Sequence, residues 1–151
     1  MSQTTLDIKE PGLNVLPPGV ERHVVNAGGL TGLQIFPDDE IEIINEEGNQ
    51  ICEIICFDKD GKSELGILNQ KENCEKSFIK ELLKGKDESS LITNLQLKKR
   101  NLDINKSTSS ILFDEQTPSG EKIKIKSKDK CYVIFAAPQN NMLVSEQNPS
   151  S

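Results

Sequence analysis

The chain has 151 residues, of which 34% are hydrophobic and 28% charged, and its formal net charge is -6. This length fits one domain with a core that needs no disulfides. The acidic balance argues against general binding to nucleic acids or anionic membranes, which requires clustered lysine and arginine. No apolar run approaches the roughly 20 residues that span a bilayer, and no signal-peptide pattern opens the chain. A cytoplasmic location is therefore predicted.

The first half of the chain has the pattern of an arm followed by β-strands. Residues 1–20 are polar and proline-rich, which predicts an extended arm, and residues 21–151 are expected to form one β domain. Short apolar segments separated by glycine, proline and aspartate turns predict strands at 22–26, 33–36, 40–45 and 50–57.

The second half is expected to contain a helix and further strands. Asn73 as N-cap and Gly85 as left-handed terminator frame a stripe of five apolar side chains, which predicts a helix, whereas 89–109 fits either a helix or a strand. Strands are predicted at 110–113, 122–126 and 131–137. In 122–126 lysines alternate with isoleucines, as in a strand with one wet face or a lysine-guarded edge. The segment 131–137 is a fully apolar run typical of a central strand. The stripe of the predicted helix consists of Cys74, Phe78, Ile79, Leu82 and Leu83.

These elements together predict the fold class. Seven or more short strands with one or two helices indicate a mainly β fold, either a barrel or a sandwich, with α+β as the alternative.

The most informative segment is 46–58, EEGNQICEIICFD, a polar turn followed by an apolar strand that contains one carboxylate. Alternation along the strand puts Glu53 on an otherwise apolar face, where a carboxylate must be paired, be neutralised or line a cavity. Two alternatives remain open, namely a structural ion pair and a cavity carboxylate that orients a cationic nitrogen or a water. If Glu53 is a cavity carboxylate, the predicted ligand-binding residues are Asn49, Gln50 and Glu53.

The cysteines and the single histidine do not form a recognisable catalytic or metal-binding pattern. Cys52 and Cys56 share one face of the predicted strand about 13 Å apart, too far to bind one zinc ion together. With one histidine in the chain, spacing supports neither a Ser-His-Asp nor a Cys-His arrangement. No metal site is predicted, no catalytic residue is assigned, and the cysteines are expected to be reduced core thiols.

The EGNQ turn with an acidic residue three positions on resembles the urea carboxylase-associated protein family. Further landmarks of the resemblance follow in the family's order, and together they cover about residues 22–151. They are Gly28-Gly29, Phe36-Pro37-Asp38-Asp39-Glu40, Thr117-Pro118-Ser119-Gly120 and Ala136-Ala137-Pro138.

The resemblance implies a function in small-amine chemistry. Free-standing family members that act as metal-assisted deiminases carry cysteine and histidine in their second half. This chain has no histidine after Leu65, so it is more similar to a shorter branch that forms the N-terminal domain of glycine-cleavage T-protein-like aminomethyltransferases. The implied function is an accessory or substrate-gating domain, itself non-catalytic. Tetrahydrofolate and a small amine would be bound by a following or partner aminomethyltransferase domain, and the chain is expected to be cut before it.

Two other functions remain open at this stage. One is a stand-alone hydrolase or deiminase of urea or amidine compounds, and the other is a small-molecule binding module without chemistry. A homo-oligomer formed through the edge near Ile123–Lys126 is also compatible with the pattern.

Overall fold

In the computed structural model the described residues are 5–11, 20–46, 48–74, 77–114 and 116–138. They form eight strands and two α-helices, together with short 3₁₀ turns at Leu65–Leu68 and Ile104–Lys106. The strands are β1 (Thr5–Pro11), β2 (Val20–Asn26), β3 (Gly29–Ile35), β4 (Glu40–Asn45), β5 (Cys52–Asp58), β6 (Ser109–Phe113), β7 (Glu121–Lys126) and β8 (Cys131–Ala137). The helices are α1 (Phe78–Leu82) and α2 (Glu88–Lys99).

The strands form two antiparallel four-stranded sheets packed face to face. We call the sheet with order β2-β1-β4-β7 the outer sheet and the sheet with order β3-β8-β5-β6 the inner sheet. One apolar core joins residues of both sheets, for example Ile43 from β4 and Phe135 from β8. The prediction of a mainly β fold is confirmed, and the architecture is a sandwich.

The helices cover the second face of the inner sheet. A separate core cluster there brings Ile79 of α1 and Leu97 of α2 onto Phe57 of β5 and Ile134 of β8. Because β8 lies between β3 and β5 and is covered on both faces, all seven of its residues are buried. This placement explains the continuous apolar run CYVIFAA and confirms the predicted central strand.

The N-terminal segment differs from the extended arm that the sequence suggested. Thr5–Pro11 forms β1, which pairs with β2 on one side and β4 on the other. Its polar alternation is compatible with a strand in a sheet that has a wet face, a pattern too short to identify from periodicity alone. Residues 1–4 and 12–19 lie outside the described residues.

The helix predicted between Asn73 and Gly85 is wrong in its bounds. The α-helix begins at Phe78 with Ser77 as N-cap, and Cys74 precedes it in irregular structure. The Asn73 side chain instead pairs with the backbone of Ile111 in β6, donating to its carbonyl at 3.3 Å and accepting from its amide at 2.6 Å. Gly85 does not have a positive φ. A tertiary contact with β6 therefore takes Asn73 out of the helix.

The ambiguous segment 89–109 is resolved as α2 followed by an irregular stretch that leads into β6. In the part of the chain that is described, no helix is long and apolar enough to cross a membrane.

Candidate functional site

Most landmarks of the family resemblance meet at one end of the sandwich, whereas the Phe36–Glu40 turn lies at the other end of β4, where Asp38 N donates to Ser127 O. The turn between β4 and β5 packs against the turn that precedes β7: Asn49 N donates to Thr117 O at 2.7 Å, and Gly120 N donates to Asn45 O at 2.7 Å. Ser119 Oγ donates to the carbonyl of Glu46. We call Asn45–Gln50 with Thr117–Gly120 and Pro138 the turn cluster; Glu47 lies outside the described residues.

Gly48 is the residue that permits this close contact. Its φ is 78°, and a Cβ built on it would lie 2.7 Å from the backbone nitrogen of Ser119. A side chain would therefore collide with backbone, which cannot move aside as a flexible side chain can. The glycine of the EGNQ turn is thus explained by packing between the two turns.

Gln50 joins the turn cluster to the end of the central strand. Its Nε2 donates to the Pro138 carbonyl at 2.7 Å and to the Ile51 carbonyl at 2.9 Å, and the side chain is buried. The Asn45 side chain is also buried and its Nδ2 donates to the Gln50 carbonyl at 2.9 Å. Among the described residues, Asn45 Oδ1 is the one buried side-chain oxygen or nitrogen without a hydrogen-bond partner. The cluster therefore has one unused acceptor.

Glu53 is buried and its carboxylate lies at the start of α1. Oε1 accepts hydrogen bonds from Phe78 N at 2.7 Å and Ile79 N at 3.2 Å, and Oε2 accepts one from Ser77 Oγ at 2.6 Å. The first amides of a helix have no partner within the helix, and the helix dipole favours a negative charge there. The carboxylate on the apolar strand face therefore has three donors, none of which is the lysine expected for an ion pair.

The structure does not bring the three predicted ligand residues together at one point. Asn49 is exposed and has a φ of 58°, whereas the Gln50 and Glu53 side chains share no hydrogen-bond partner. The sequence did not single out two residues that bond to this segment, Asn45 and Ser77. A serine directly before Phe78-Ile79 is a recognisable N-cap signal, while the role of Asn45 depends on a turn distant in sequence.

Two of the four cysteines lie along β5 in the core of the sandwich. Cys52 and Cys56 lie on the same face of β5 in the core between the sheets, and both are buried. Burial and then the neighbouring Glu53 charge raise the pKa of Cys52, and a hydrogen bond to Cys131 followed by burial raises the pKa of Cys56. These thiols are therefore held protonated. Among the described residues no group of three or more His, Cys, Asp or Glu side chains is arranged to hold a metal ion.

A cleft of about 370 Å³ lies at the C-terminal end of α2, away from the predicted ligand residues. The Arg100 guanidinium lies 4.3 Å above the centre of the Tyr132 ring and donates to Gln34 Oε1 at 3.3 Å. Burial raises the pKa of Tyr132, and the Arg100 charge opposes that shift. Asp58 at the cleft already accepts from the amides of Asp60 and Lys62 at 2.9 Å. Arg100 and Asp58 therefore already have partners within the chain.

Comparison with known proteins gives one specific relationship. The chain is 32% identical over 144 residues to the trimethylamine-oxide aldolase of Ruegeria pomeroyi. The match includes 95% of this chain but 18% of the aldolase. The chain is thus similar to one part of an aldolase.

No family model and no solved structure matches the chain. The resemblance to the urea carboxylase-associated family is therefore not confirmed by these comparisons, whereas a similarity to part of a trimethylamine-oxide aldolase is shown.

Proposed function

We propose that this chain is a non-catalytic, scaffold-forming part of a small-amine-metabolising protein similar to trimethylamine-oxide aldolase. The observation that carries the proposal is the match over 95% of the chain at 32% identity. Because most of the aldolase lies outside the matched region, the chemistry on the amine is assigned to the part that has no counterpart here.

The contacts of the turn cluster and of the neighbouring Glu53 support the scaffold role. Gln50 and Glu53 are buried, and their side-chain hydrogen bonds are made to other parts of this chain. Groups engaged in this way fix the positions of a turn and a helix. A ligand would have to displace these bonds, which costs free energy for each buried group left without a partner.

Within this proposal the domain gates a small amine rather than transforming it. Asn49 is the exposed member of the three predicted ligand residues, so direct contact with the amine at the turn is assigned to Asn49. Gln50 and Glu53 act as positioning residues that hold the turn and α1. In the aminomethyltransferase-like system that the sequence resembles, tetrahydrofolate would be bound by the other domain, not by the residues described here.

A chimera tests the proposal directly. The matched 144 residues of the Ruegeria pomeroyi aldolase are replaced by the corresponding residues of this chain, and consumption of trimethylamine oxide is followed by nuclear magnetic resonance. We expect the chimera to consume trimethylamine oxide, and we expect the 151-residue chain alone to consume none. A chimera that elutes and melts like the aldolase but is inactive would contradict the functional equivalence.

Two variants of the chimera separate gating from folding. Asn49→Gly removes the exposed side chain and tolerates the φ of 58°, so it should raise the KM for trimethylamine oxide while the chimera keeps a cooperative thermal melt. Gln116→Ala, also exposed and close to the same turns, is the matched control and should change neither. Turnover by the isolated chain would instead identify it as an enzyme in its own right and overturn the scaffold role.

A further inference from the structure

Helix α2 buries Leu97 but turns three other apolar side chains towards solvent. Ser90 and Thr93 are buried, whereas Leu91, Ile92 and Leu95 are 52%, 51% and 65% exposed. A helix that covers a sheet normally turns its apolar stripe to the core. Single exposed leucines are common, but three at positions i, i+1 and i+4 form one continuous patch.

Hydrogen bonds to the end of α1 hold α2 in this orientation. Ser90 Oγ lies 2.7 Å from the Leu82 carbonyl oxygen, Thr93 Oγ1 donates to Ser89 O at 2.8 Å, and Asn94 Nδ2 donates to the Leu83 carbonyl at 2.8 Å. Two of these bonds join α2 to the end of α1. Rotating α2 to bury its leucines would break them, so the apolar patch stays on the surface.

Charged residues of opposite sign lie at the two ends of the apolar patch. Glu88 precedes Leu91 by one helical turn, and Lys98 and Lys99 follow Leu95 by one turn, all of them exposed. Residues three or four apart lie on the same helix face. The face therefore has an acidic start, an apolar centre and a basic end, which we call the α2 face.

The α2 face is complementary to itself. When two copies of the helix lie antiparallel, Glu88 of one faces Lys98 and Lys99 of the other, and Ile92 of one faces Leu95 of the other. Such a two-fold contact uses the same patch on both copies, which is the commonest symmetry of protein oligomers. A parallel arrangement would place like charges together and is disfavoured.

We propose that the α2 face binds a second copy of this chain in an antiparallel, two-fold helix pair. Opposite charge at its two ends identifies the occupant as a second copy of the same face. A helix of 12 residues is about 18 Å long, so the contact is small and the association is expected to be weak and concentration-dependent.

Sedimentation velocity on the full chain, from low to high micromolar concentration, is the first test. We expect a monomer–dimer equilibrium for the native sequence and a monomer for Leu95→Lys at every concentration. The Leu95 side chain is exposed, so the thermal melt of the variant should match the native chain. Ile92→Gln provides a second, independent disruption of the same patch, in case Leu95→Lys does not fold.

A charge exchange then tests the antiparallel pairing. Glu88→Lys alone and the double change Lys98→Glu with Lys99→Glu alone should each weaken self-association by about tenfold or more. Mixing the two variants should restore a dimer, because each basic end again faces an acidic one. Glu121→Lys, which makes the same charge change at an exposed position of β7, should dimerise like the native chain.

The opposite results would overturn the proposal. A native chain that stays monomeric over the whole range leaves the α2 face to another partner. Dimers of Leu95→Lys and Ile92→Gln that are as tight as the native dimer would assign the contact to a different surface. A mixture of the charge variants that does not associate would reject the antiparallel arrangement.

Discussion

Strands β8 and β7 show how differently the two sheets of the sandwich are covered. β8 lies inside the inner sheet, between a second sheet and two helices, and every one of its residues is buried. β7 lies at the edge of the outer sheet, where Ile125 is buried and Lys122, Lys124 and Lys126 are exposed. β7, which is buried on one face, alternates polar and apolar residues, whereas β8, which is buried on both faces, is apolar throughout.

The different coverage of the two sheets also determines where a charged side chain is buried. On β5 of the inner sheet, Glu53 has no access to solvent, so its carboxylate needs donors from the protein and finds them at α1. On β4 and β7 of the outer sheet, charged residues remain at the surface on the solvent side of the strands. A substitution should therefore have its largest effect in the inner sheet and its smallest on β7.

The largest effect is expected for Glu53→Ala. This change removes the acceptor of two backbone amides and one hydroxyl in a buried place, so the free energy of unfolding should fall by about 3–5 kcal/mol. Glu53→Gln keeps the shape and one acceptor and should cost about half as much or less. Urea unfolding of the three proteins measures the difference. Equal stability of native chain and Glu53→Ala would show that the carboxylate does not stabilise α1.

The next effect concerns the junction of the two sheets at the turn cluster. Gly48→Ala combines an unfavourable positive φ with a Cβ that would lie 2.7 Å from the Ser119 nitrogen, and we expect a loss of about 2–4 kcal/mol. Gly120→Ala is the matched control, because its φ is 82° but nothing lies within 4 Å of the new Cβ. It should cost about 1 kcal/mol, the backbone strain alone. If both changes cost the same, close packing between the turns is not what requires glycine at Gly48.

A third effect is a dependence of stability on pH that comes from a buried thiol of the inner sheet. Burial raises the pKa of Cys52 in the folded state above that of an unfolded thiol, about 8.5. The stabilising contribution is therefore complete below that pH and is lost as the pH rises above it. For each such thiol, the free energy of unfolding falls by about 1.4 kcal/mol per pH unit between the pKa of the unfolded state and that of the folded state.

Cys52→Ala should reduce this alkaline slope by one thiol's contribution. Denaturant unfolding at a series of pH values from 7.5 to just below 10 measures the slope for the native chain and the variant, in a range below the usual pKa of tyrosine, about 10. Parallel curves for the two proteins would contradict the assignment of the loss to this buried thiol.

The sequence predicted strands better than helices, and particular residues show why. The alternation in β7 and the apolar run in β8 are properties of one segment, so they can be recognised without the rest of the fold. The helix bounds failed because Asn73, a good N-cap by type, instead pairs with Ile111 of β6, 38 residues further along the chain. A contact between distant segments overrides a local preference.

The candidate site could be predicted in part for the same reason. The conflict between a carboxylate and its apolar strand face singled out Glu53, but its partners Ser77, Phe78 and Ile79 are supplied by a helix about 25 residues away. The exposure of Leu91 and Leu95 could not be predicted from the sequence either, because their spacing fits a helix whichever way the helix faces. Periodicity identifies a face of a helix, and only packing decides what that face contacts.

The smallest effect is expected on the solvent side of β7. Lys124 lies opposite Glu42 of β4, and Lys124→Glu places two acidic side chains across from each other. Like charges at opposed positions destabilise a sheet, but water and salt screen exposed charges, so the loss should be about 0.5 kcal/mol or less and should shrink as salt is added. Lys122→Glu is the control, since it lies opposite Ile44 and creates no such pair. A loss from Lys124→Glu as large as that from Glu53→Ala would show that this side of the outer sheet is covered in solution, and the contrast between the two sheets would then be wrong.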